Sequence, residues 1–199
     1  WSSDVCSSDL WKGAVWSFTT ADFIFVVDDF EAYDYEHGLW PTWTAGIPNG
    51  MGRSYLWIEW ETVRSGWQCM ELEYFNWLEP WDYSETQRTW DTPQDWTVQG
   101  ADTLTLYFRG EAENSPEPLY VGIEDSAGQI AVVAHPDAEA VLASEWQKWQ
   151  IALADLQAAG VDVAAVQKMV IGVGDRQNPQ PGGTGRIYID DIRLTKRMP

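Results

Sequence analysis

Residues 119–135 read LYVGIEDSAGQIAVVAH, and their pattern is the clearest structural signal in the chain. Two runs that are rich in apolar residues, Leu119–Glu124 and Gln129–His135, flank the segment Asp125–Gly128. Asp, Ser and Gly are favoured in tight turns, and every second residue of the first run is apolar. Because side chains alternate between the two faces of a strand, the stretch predicts a β-hairpin with one face in the core.

Outward from this hairpin, short runs of the same kind recur along the chain. The further predicted strands are Ile24–Glu31, Trp67–Tyr74, Thr103–Arg109, Trp146–Leu153, Lys168–Val173 and Arg186–Leu194. One or two helical turns are expected at Asp137–Ala143 and Val161–Gln167, and the Pro- and Gly-rich segment Asp175–Gly185 is expected to be a loop. Many short strands separated by regular turns predict an all-β sandwich or barrel.

The composition limits the classes of partner. The chain has 199 residues, of which 45% are hydrophobic, and this is sufficient for one domain with a core. Its formal net charge of -19 repels phosphate groups, so we expect no binding to nucleic acid or to anionic membranes. No apolar stretch approaches the ~20 residues of a membrane span. The credible domain contains one Cys, Cys69, so we expect no internal disulfide.

Tryptophan is the most unusual component of the chain, which contains 14 of these residues. Trp combines a large flat apolar face with one polar N–H group, and sugar rings present flat C–H faces that stack on such a surface. The alternative is that Trp fills the core of the sandwich, and we expect roughly two-thirds of the Trp residues to lie in the core or to cover the sheets.

The chain divides into three segments. Residues 1–10, WSSDVCSSDL, match the translation of sequencing-adapter DNA and are treated as an artefact, with a disordered tail as the alternative. Residues 11–20 resemble the last strand of a fibronectin type III-like domain, which implies a truncated upstream domain. Residues 21–199 form the predicted β-sandwich domain. Neighbouring domains of the parent chain are therefore expected partners.

The first and last predicted strands carry acidic motifs, Val27–Glu31 (VDDFE) and Tyr188–Leu194 (YIDDIRL). Together with Ser65–Gln68, Trp146–Leu156 and Ile171–Gly174, these motifs resemble the galactose-binding-like jelly-roll carbohydrate-binding modules of bacterial extracellular multidomain proteins. The resemblance covers most of the chain and implies a jelly roll of two antiparallel sheets with one or two short helices. A laminin G-like or concanavalin-like sandwich is the second choice of fold.

The resemblance also implies a function, that of a non-catalytic module which tethers a larger extracellular or cell-surface protein to polysaccharide. Two alternatives stay open: a structural or adhesion spacer without a sugar ligand, and a glycan-active enzyme domain. The sequence contains two His residues and no nucleophile elbow, zinc-protease motif or phosphate-binding glycine loop. We therefore predict that the chain is not an enzyme.

The same resemblance implies a structural calcium ion near the two acidic motifs. The candidate ligands are Asp29, Glu31, Ser65, Asp190 and Asp191. Calcium prefers several oxygen ligands, which carboxylates and backbone carbonyl groups supply, and a carboxylate that points inward needs its charge compensated. The sequence does not decide which member of each Asp–Asp pair points inward. The alternatives are an exposed acidic strand end and pairing of a carboxylate with Arg64 or Arg193.

Strand alternation places several polar residues away from the core, where a sugar could bind. The predicted ligand-binding residues are Tyr107, Arg109, Tyr120, Glu124, Asp175 and Arg176, with Trp77 and Trp81 of a loop as stacking platforms. Arg donates paired hydrogen bonds to vicinal hydroxyl groups, and carboxylates accept such bonds. The alternatives are an ion-pair ladder between Arg109 and Glu124, and packing of the loop Trp residues on a neighbouring domain.

Overall fold

The structure, a computed structural model, describes residues 24–34, 38–46, 53–77 and 82–196. Within these ranges the chain forms eleven strands and two short α-helices. The strands are β1 (Ile24–Asp28), β2 (Trp43–Ala45), β3 (Ser54–Glu59), β4 (Cys69–Phe75), β5 (Tyr83–Gln94), β6 (Thr103–Arg109), β7 (Leu119–Asp125), β8 (Ile130–Ala134), β9 (Gln147–Ala152), β10 (Val166–Gly174) and β11 (Thr184–Thr195). The helices are α1 (Leu39–Thr42) and α2 (Leu153–Ala158). Segments 1–10 and 11–20 lie outside the described residues.

The strands form two antiparallel sheets. Sheet 1 has the order β3–β4–β11–β6–β9, and β1 also pairs with β11. Sheet 2 has the order β2–β5–β10–β7–β8. Consecutive strands such as β6 and β7 lie in different sheets, so the chain crosses repeatedly from one sheet to the other. This architecture confirms the predicted all-β jelly-roll sandwich.

The core lies between the sheets and consists of alternate residues of the facing strands. The inward rows of β6 and β10 are Leu104, Leu106, Phe108, Met169, Ile171 and Val173, all fully buried. Each row consists of every second residue of its strand, as strand alternation predicts. Burying one large apolar side chain contributes about 1.5–3 kcal/mol, so these rows hold the two sheets together.

Strand β11 carries an irregularity in the middle of sheet 1. Its first half pairs with β4 and its last residues pair with β1, while β6 lies along its other edge. The register shifts between Asp190 and Arg193, and Asp191 adopts a φ of 51°. Because the strand bulges where β4 gives way to β1, the two acidic residues meet the loop that leads into β4.

The helices differ from the sequence expectation. The expected turns at Val161–Gln167 contain no helix, and α2 instead follows β9 directly. Within Asp137–Ala143 the structure has one 3₁₀ turn, Ala140–Leu142. No helix in the described part of the chain is long and apolar enough to cross a membrane.

Three strands, β2, β3 and β5, were not foreseen in the sequence. The longest of them, β5, reads YSETQRTWDTPQ, a polar stretch without apolar alternation. Its pairing with β10 and β2 places it in the sheet, because cross-strand contacts outweigh local propensity. Strand β4 also begins later than expected, at Cys69, and Trp67 before it is 83% exposed.

The described tryptophan residues divide between the core and the surface. Of the ten Trp residues that the structure describes, three are buried and five are exposed. The exposed ones are Trp40, Trp57, Trp60, Trp67 and Trp77. They lie on the edge strand β3, on α1 and on the loops that flank β4. These five rings therefore form part of the surface and not of the core.

Candidate binding cleft on sheet 2

The outer face of sheet 2 carries three residues that are direct neighbours on adjacent strands: Tyr120, Gly172 and Glu85. A Cβ atom at Gly172 would overlap with the ring of Tyr120. The glycine therefore allows the phenol ring to lie across the middle strand, where its hydroxyl donates a hydrogen bond of 2.6 Å to Oε1 of Glu85. The arrangement joins β7, β10 and β5, which are distant in sequence.

Arg176 adds a cation to this row. Its Nη1 atom lies 3.3 Å from Oε1 of Glu85, yet this buried nitrogen has no hydrogen-bond acceptor among the described residues. Burial raises the pKa of Tyr120, and the negative charge of Glu85 adds a smaller effect in the same direction. The phenol therefore stays neutral at physiological pH. The Arg176 side chain is 35% exposed, so its N–H groups can donate to an oxygen atom of a ligand while it pairs with Glu85.

The row opens into a cleft of about 330 Å³. Its apolar wall consists of Pro118, Val132 and Ala134. Asp175 fixes the rim, because its Oδ1 accepts the backbone N–H groups of Gln177 and Asn178 at 2.9 and 3.0 Å. An apolar wall beside a few fixed polar groups is the usual composition of a small-molecule site.

Three of the predicted ligand-binding residues, Tyr120, Asp175 and Arg176, come together in this cleft. Glu124 lies on the same face of sheet 2, four residues further along β7, which is about 13 Å in an extended strand. There it pairs with Lys168, with 2.8 Å between Nζ and Oε2. Sequence reasoning missed Glu85, because β5 has no alternation that would identify it as a strand.

Trp77 lies at the same end of the sandwich as the cleft. It follows Asn76, whose Nδ2 donates to the carbonyl oxygen of Val173 at 3.0 Å and lies against Gly174. Asn76 therefore ties the end of β4 to the end of β10. Trp77 is exposed, but it is not among the described residues that line the cleft. Trp81 lies outside the described residues.

Tyr107 and Arg109 do not belong to this face. They lie on β6 in sheet 1, whereas Tyr120 and Glu124 lie on β7 in sheet 2. The prediction that the four residues share one surface is wrong, and so is the ion-pair ladder between Arg109 and Glu124. Alternation shows which side of a strand faces the core but not which sheet the strand joins. In the structure the guanidinium of Arg64 stacks on Tyr107, with Cζ 3.4 Å from the ring centroid.

Of the first acidic pair, Asp28 points inward. Its Oδ2 accepts hydrogen bonds from Trp43 Nε1 at 2.8 Å, from the hydroxyl of Tyr33 at 2.5 Å and from Arg88 Nη1 at 2.6 Å. Asp29 stays half-buried and accepts only the N–H of Glu31, at 3.3 Å, among the contacts described. Asp28 is therefore the structural anchor of β1, and Arg88 compensates its charge.

The second acidic pair lies in the β11 bulge, against the loop before β4. Asp191 forms ion pairs with both Arg64 and Arg193, and the hydroxyl of Ser65 donates to it at 2.8 Å. Oδ2 of Asp190 accepts the backbone N–H groups of Arg64 and Ser65, at 3.1 and 3.2 Å. Burial raises the pKa of Asp190 to about 6. Asp191 is therefore paired with arginine, which is one of the alternatives to calcium that the sequence leaves open.

Glu31 approaches the same loop, and its carboxylate accepts the backbone N–H of Trp67 at 3.0 Å. Glu31 and Asp190 thus both bind N–H groups, whereas a calcium ion needs oxygen ligands that converge on one point. In the part of the chain that the structure describes, no three His, Cys, Asp or Glu side chains are arranged to hold a metal ion. The contacts present do not fit calcium as they stand, and calcium stays a prediction.

Comparison with known proteins gives solved structures of the same architecture, while no protein-family model and no curated protein matches the sequence. An exo-β-agarase is similar over 87% of this chain and 25% of that chain, with a TM-score of 0.64 and 13% identity. The family 11 carbohydrate-binding module from Clostridium thermocellum, in complex with a β-1,3-1,4-mixed-linked tetrasaccharide, is similar over 90% of this chain and 99% of that chain. Its TM-score is 0.58 and its identity 11%.

The xylan-binding domain of family 22 is similar over 91% of this chain and 99% of that chain, with a TM-score of 0.50 and 15% identity. The fold is therefore that of the β-sandwich carbohydrate-binding modules, as the strand motifs predict. The chain spans about a quarter of the length of the agarase that it matches. At such low identities the likeness establishes the architecture, so the function has to be argued from the cleft itself.

Proposed function

We propose that this protein is a non-catalytic carbohydrate-binding module that holds a neutral polysaccharide in the cleft on sheet 2. The observation that carries this proposal is the guanidinium of Arg176, which lines the cleft, is 35% exposed and pairs with the buried carboxylate of Glu85 at 3.3 Å. A sugar hydroxyl supplies an acceptor for a guanidinium group and a donor for a carboxylate. The shared fold with a module that holds a tetrasaccharide supports the same class of ligand.

The chemistry of the cleft suits a ring with many hydroxyl groups. Pro118, Val132 and Ala134 offer apolar contact to the C–H face of a sugar, while Arg176 and Asp175 meet its hydroxyl groups. The net charge of -19 repels sulfated or uronic-acid polymers, so the preferred ligand is neutral. The hydrogen bonds that fix the cleft before binding reduce the entropy lost when the ligand is ordered.

The described cleft residues are arranged for binding rather than for hydrolysis. A glycosidase needs two carboxyl groups on either side of the glycosidic bond. Glu85 is buried and bound to Tyr120, and Asp175 holds the rim loop through backbone N–H groups. We therefore propose a tethering role in an extracellular or cell-surface protein, with polysaccharide and neighbouring domains of the parent chain as partners.

The test compares Arg176→Ala with Arg53→Ala by isothermal titration calorimetry. The probes are soluble mixed-linkage β-1,3-1,4-glucan, xylan and agarose oligosaccharides. Arg53 is a matched control because it is also half-buried, but it stacks on Phe75 at 5.9 Å in sheet 1. We expect Arg176→Ala to weaken binding roughly tenfold or more and Arg53→Ala to leave it unchanged. If the unsubstituted protein binds none of the probes, the spacer function is favoured instead.

Calcium is a second and separate proposal. Calcium bound by Glu31 and Asp190 would replace the contacts that these carboxylates make with the N–H groups of residues 64–67. A ligand that binds only the folded state raises the melting temperature, so thermal melts in calcium and in chelator test the proposal. A rise in calcium that Glu31→Gln abolishes would support it. Equal melting temperatures would remove Glu31 and Asp190 from the metal site.

A further inference from the structure

A second cleft, of about 410 Å³, lies at the edge of sheet 1, where β3 is the outermost strand. Three Trp residues line it: Trp40 of α1, Trp57 of β3 and Trp60 of the loop that follows. Their side chains are 55%, 47% and 66% exposed. An exposed apolar cluster of this kind on a highly charged chain indicates an interaction site.

The three rings are held in place by their own N–H groups. The acceptors of Trp40, Trp57 and Trp60 are the carbonyl oxygen of Leu56, Oε2 of Glu73 and Oε1 of Gln68, each at 3.2 Å. Because the polar edge of each indole is used within the protein, the flat faces are what remains for a ligand. A flat apolar face that is fixed in advance is suited to stacking.

Gln68 forms a rigid base for the cleft. This side chain is buried, and its Nε2 donates to the carbonyl oxygens of Phe30 and Tyr33 at 2.6 and 2.7 Å. It therefore joins the loop before β4 to the segment after β1, and at the same time it holds Trp60. A ligand that enters a site fixed in this way loses little entropy to ordering of the protein.

The shape and charge of the cleft select the class of ligand. Its volume lies within the ~300–1,000 Å³ of small-ligand sites, and a protein partner would instead need a broad surface of about 800 Å². Trp40 covers the carbonyl of Leu56 on the edge strand, which opposes strand addition by a second copy. Asp34 in the lining disfavours anions. A neutral ligand with flat C–H faces and hydroxyl groups fits all three features.

We infer that this second cleft, defined by Trp40, Trp57 and Trp60, binds pyranose rings of a neutral polysaccharide by stacking. It does not depend on the proposed role of Arg176, since the two clefts belong to different sheets. Engagement of one polymer at both clefts would raise the overall affinity through effective concentration, without any new contact.

The test uses the full chain carrying Arg176→Ala, so that the cleft on sheet 2 contributes little. Indole ¹⁵N-labelled protein is titrated with the mixed-linkage glucan, xylan and agarose oligosaccharides, and the Nε1–H resonances are assigned by single Trp→Phe variants. We expect the resonances of Trp40, Trp57 and Trp60 to shift. Trp67, which is 83% exposed and outside the cleft lining, should not shift.

Affinity provides the second measurement. In the Arg176→Ala background we expect Trp57→Ala and Trp60→Ala to weaken binding roughly tenfold, and Trp67→Ala to leave it unchanged. The proposal is overturned if none of the three cleft resonances shifts with any probe, or if Trp57→Ala does not alter affinity. It is also overturned if sedimentation shows a dimer that Trp57→Ala dissociates. Failure of the Arg176 proposal looks different, because Arg176→Ala would then bind as tightly as the unsubstituted protein.

Discussion

The two clefts use aromatic rings in opposite ways. On sheet 2, Tyr120 is 2% exposed, and its hydroxyl helps to hold Glu85 beside Arg176. A ligand there meets polar groups and an aliphatic wall. At the edge of sheet 1, the N–H groups of Trp57 and Trp60 are used within the protein, and about half or more of each side chain stays exposed.

This difference shows that the number of aromatic residues is a poor guide to a sugar site. What matters is whether the polar edge or the flat face of the ring is available. A cleft that offers N–H and carboxylate groups distinguishes the positions of hydroxyl groups, because hydrogen bonds are directional. A cleft that offers faces gains affinity from buried area with little distinction between sugars. Under the two proposals, we therefore expect the cleft on sheet 2 to supply specificity and the second cleft to supply contact area.

The largest expected effect concerns the frame of the second cleft. Asp28 binds Tyr33, which lines that cleft, and pairs with Arg88. Asp28→Ala leaves a guanidinium without its carboxylate, and we expect the free energy of unfolding in urea to fall by about 3–5 kcal/mol. Asp29→Ala is the control and should stay within about 0.5 kcal/mol of the unsubstituted protein. Equal losses for both variants would show that Asp28 is not the anchor.

The next largest effect is expected at Gly172 and not at Gly122, although both glycines lie on the outer face of sheet 2. A Cβ atom at Gly172 overlaps with Tyr120, so Gly172→Ala must displace the ring and disturb Arg176. We expect a loss of about 1–3 kcal/mol in the free energy of unfolding, together with weaker glucan binding. Gly122→Ala is the matched control, since its nearest neighbour would be Val170 Cβ at an ordinary 3.4 Å. If both variants behave alike, the close approach of Tyr120 has no role in the cleft.

A smaller effect is expected when the phenol hydroxyl alone is removed. Tyr120→Phe deletes the hydrogen bond to Glu85, but Arg176 still compensates the carboxylate. We expect the free energy of unfolding to fall by about 1 kcal/mol, with calorimetry showing weaker binding at the sheet 2 cleft. The shifts of the Trp57 and Trp60 resonances on titration should persist, which would separate the two clefts. Loss of those shifts would mean that the clefts are coupled.

The fold could be predicted in large part because its core strands alternate. The rows of β6, β7 and β10 and the turn Asp125–Gly128 are explicit in the sequence. Strand β5 could not be predicted, since its polar residues become a strand only through pairing with β10. Assignment of Tyr107 and Tyr120 to one face failed for a related reason, because alternation contains no information about which sheet a strand joins.

The candidate site was predicted only in part. Tyr120, Asp175 and Arg176 were identified, but Glu85 and Gly172 were not, because their roles arise from direct cross-strand contact. Such contacts depend on the register, which single-chain patterns do not contain. The Trp content indicated an aromatic surface beside a core role, and five of the ten described Trp residues are exposed. Placing Trp residues at the surface required knowledge of the edge strand and its loops.

The hairpin turn of sheet 2 offers the smallest expected effect, and one that depends on pH. The carboxylate of Asp125 accepts the backbone N–H groups of Asp162 at 2.9 Å, Ala127 at 2.9 Å and Gln129 at 3.0 Å. These hydrogen bonds lower the pKa of Asp125 below its usual value of 3.8, and the bond from Asp162 has the largest effect. The stabilisation is therefore complete above the unfolded pKa and is lost as the pH falls through the folded pKa.

Asp125→Asn should consequently lower the melting temperature by a few degrees at neutral pH, because an amide cannot accept all of these bonds. The gap to the unsubstituted protein should narrow as the pH falls below the usual carboxyl value of 3.8, and thermal melts across that range would measure it. Glu113→Gln, at an exposed carboxylate, is the control and should show no gap at either pH. The turn joins β7 and β8, which carry Tyr120 and Ala134. Asp125→Asn should therefore weaken ligand binding at the cleft on sheet 2 and leave binding at the second cleft unchanged. A gap that does not change with pH would mean that the charge of Asp125 does not contribute to the turn.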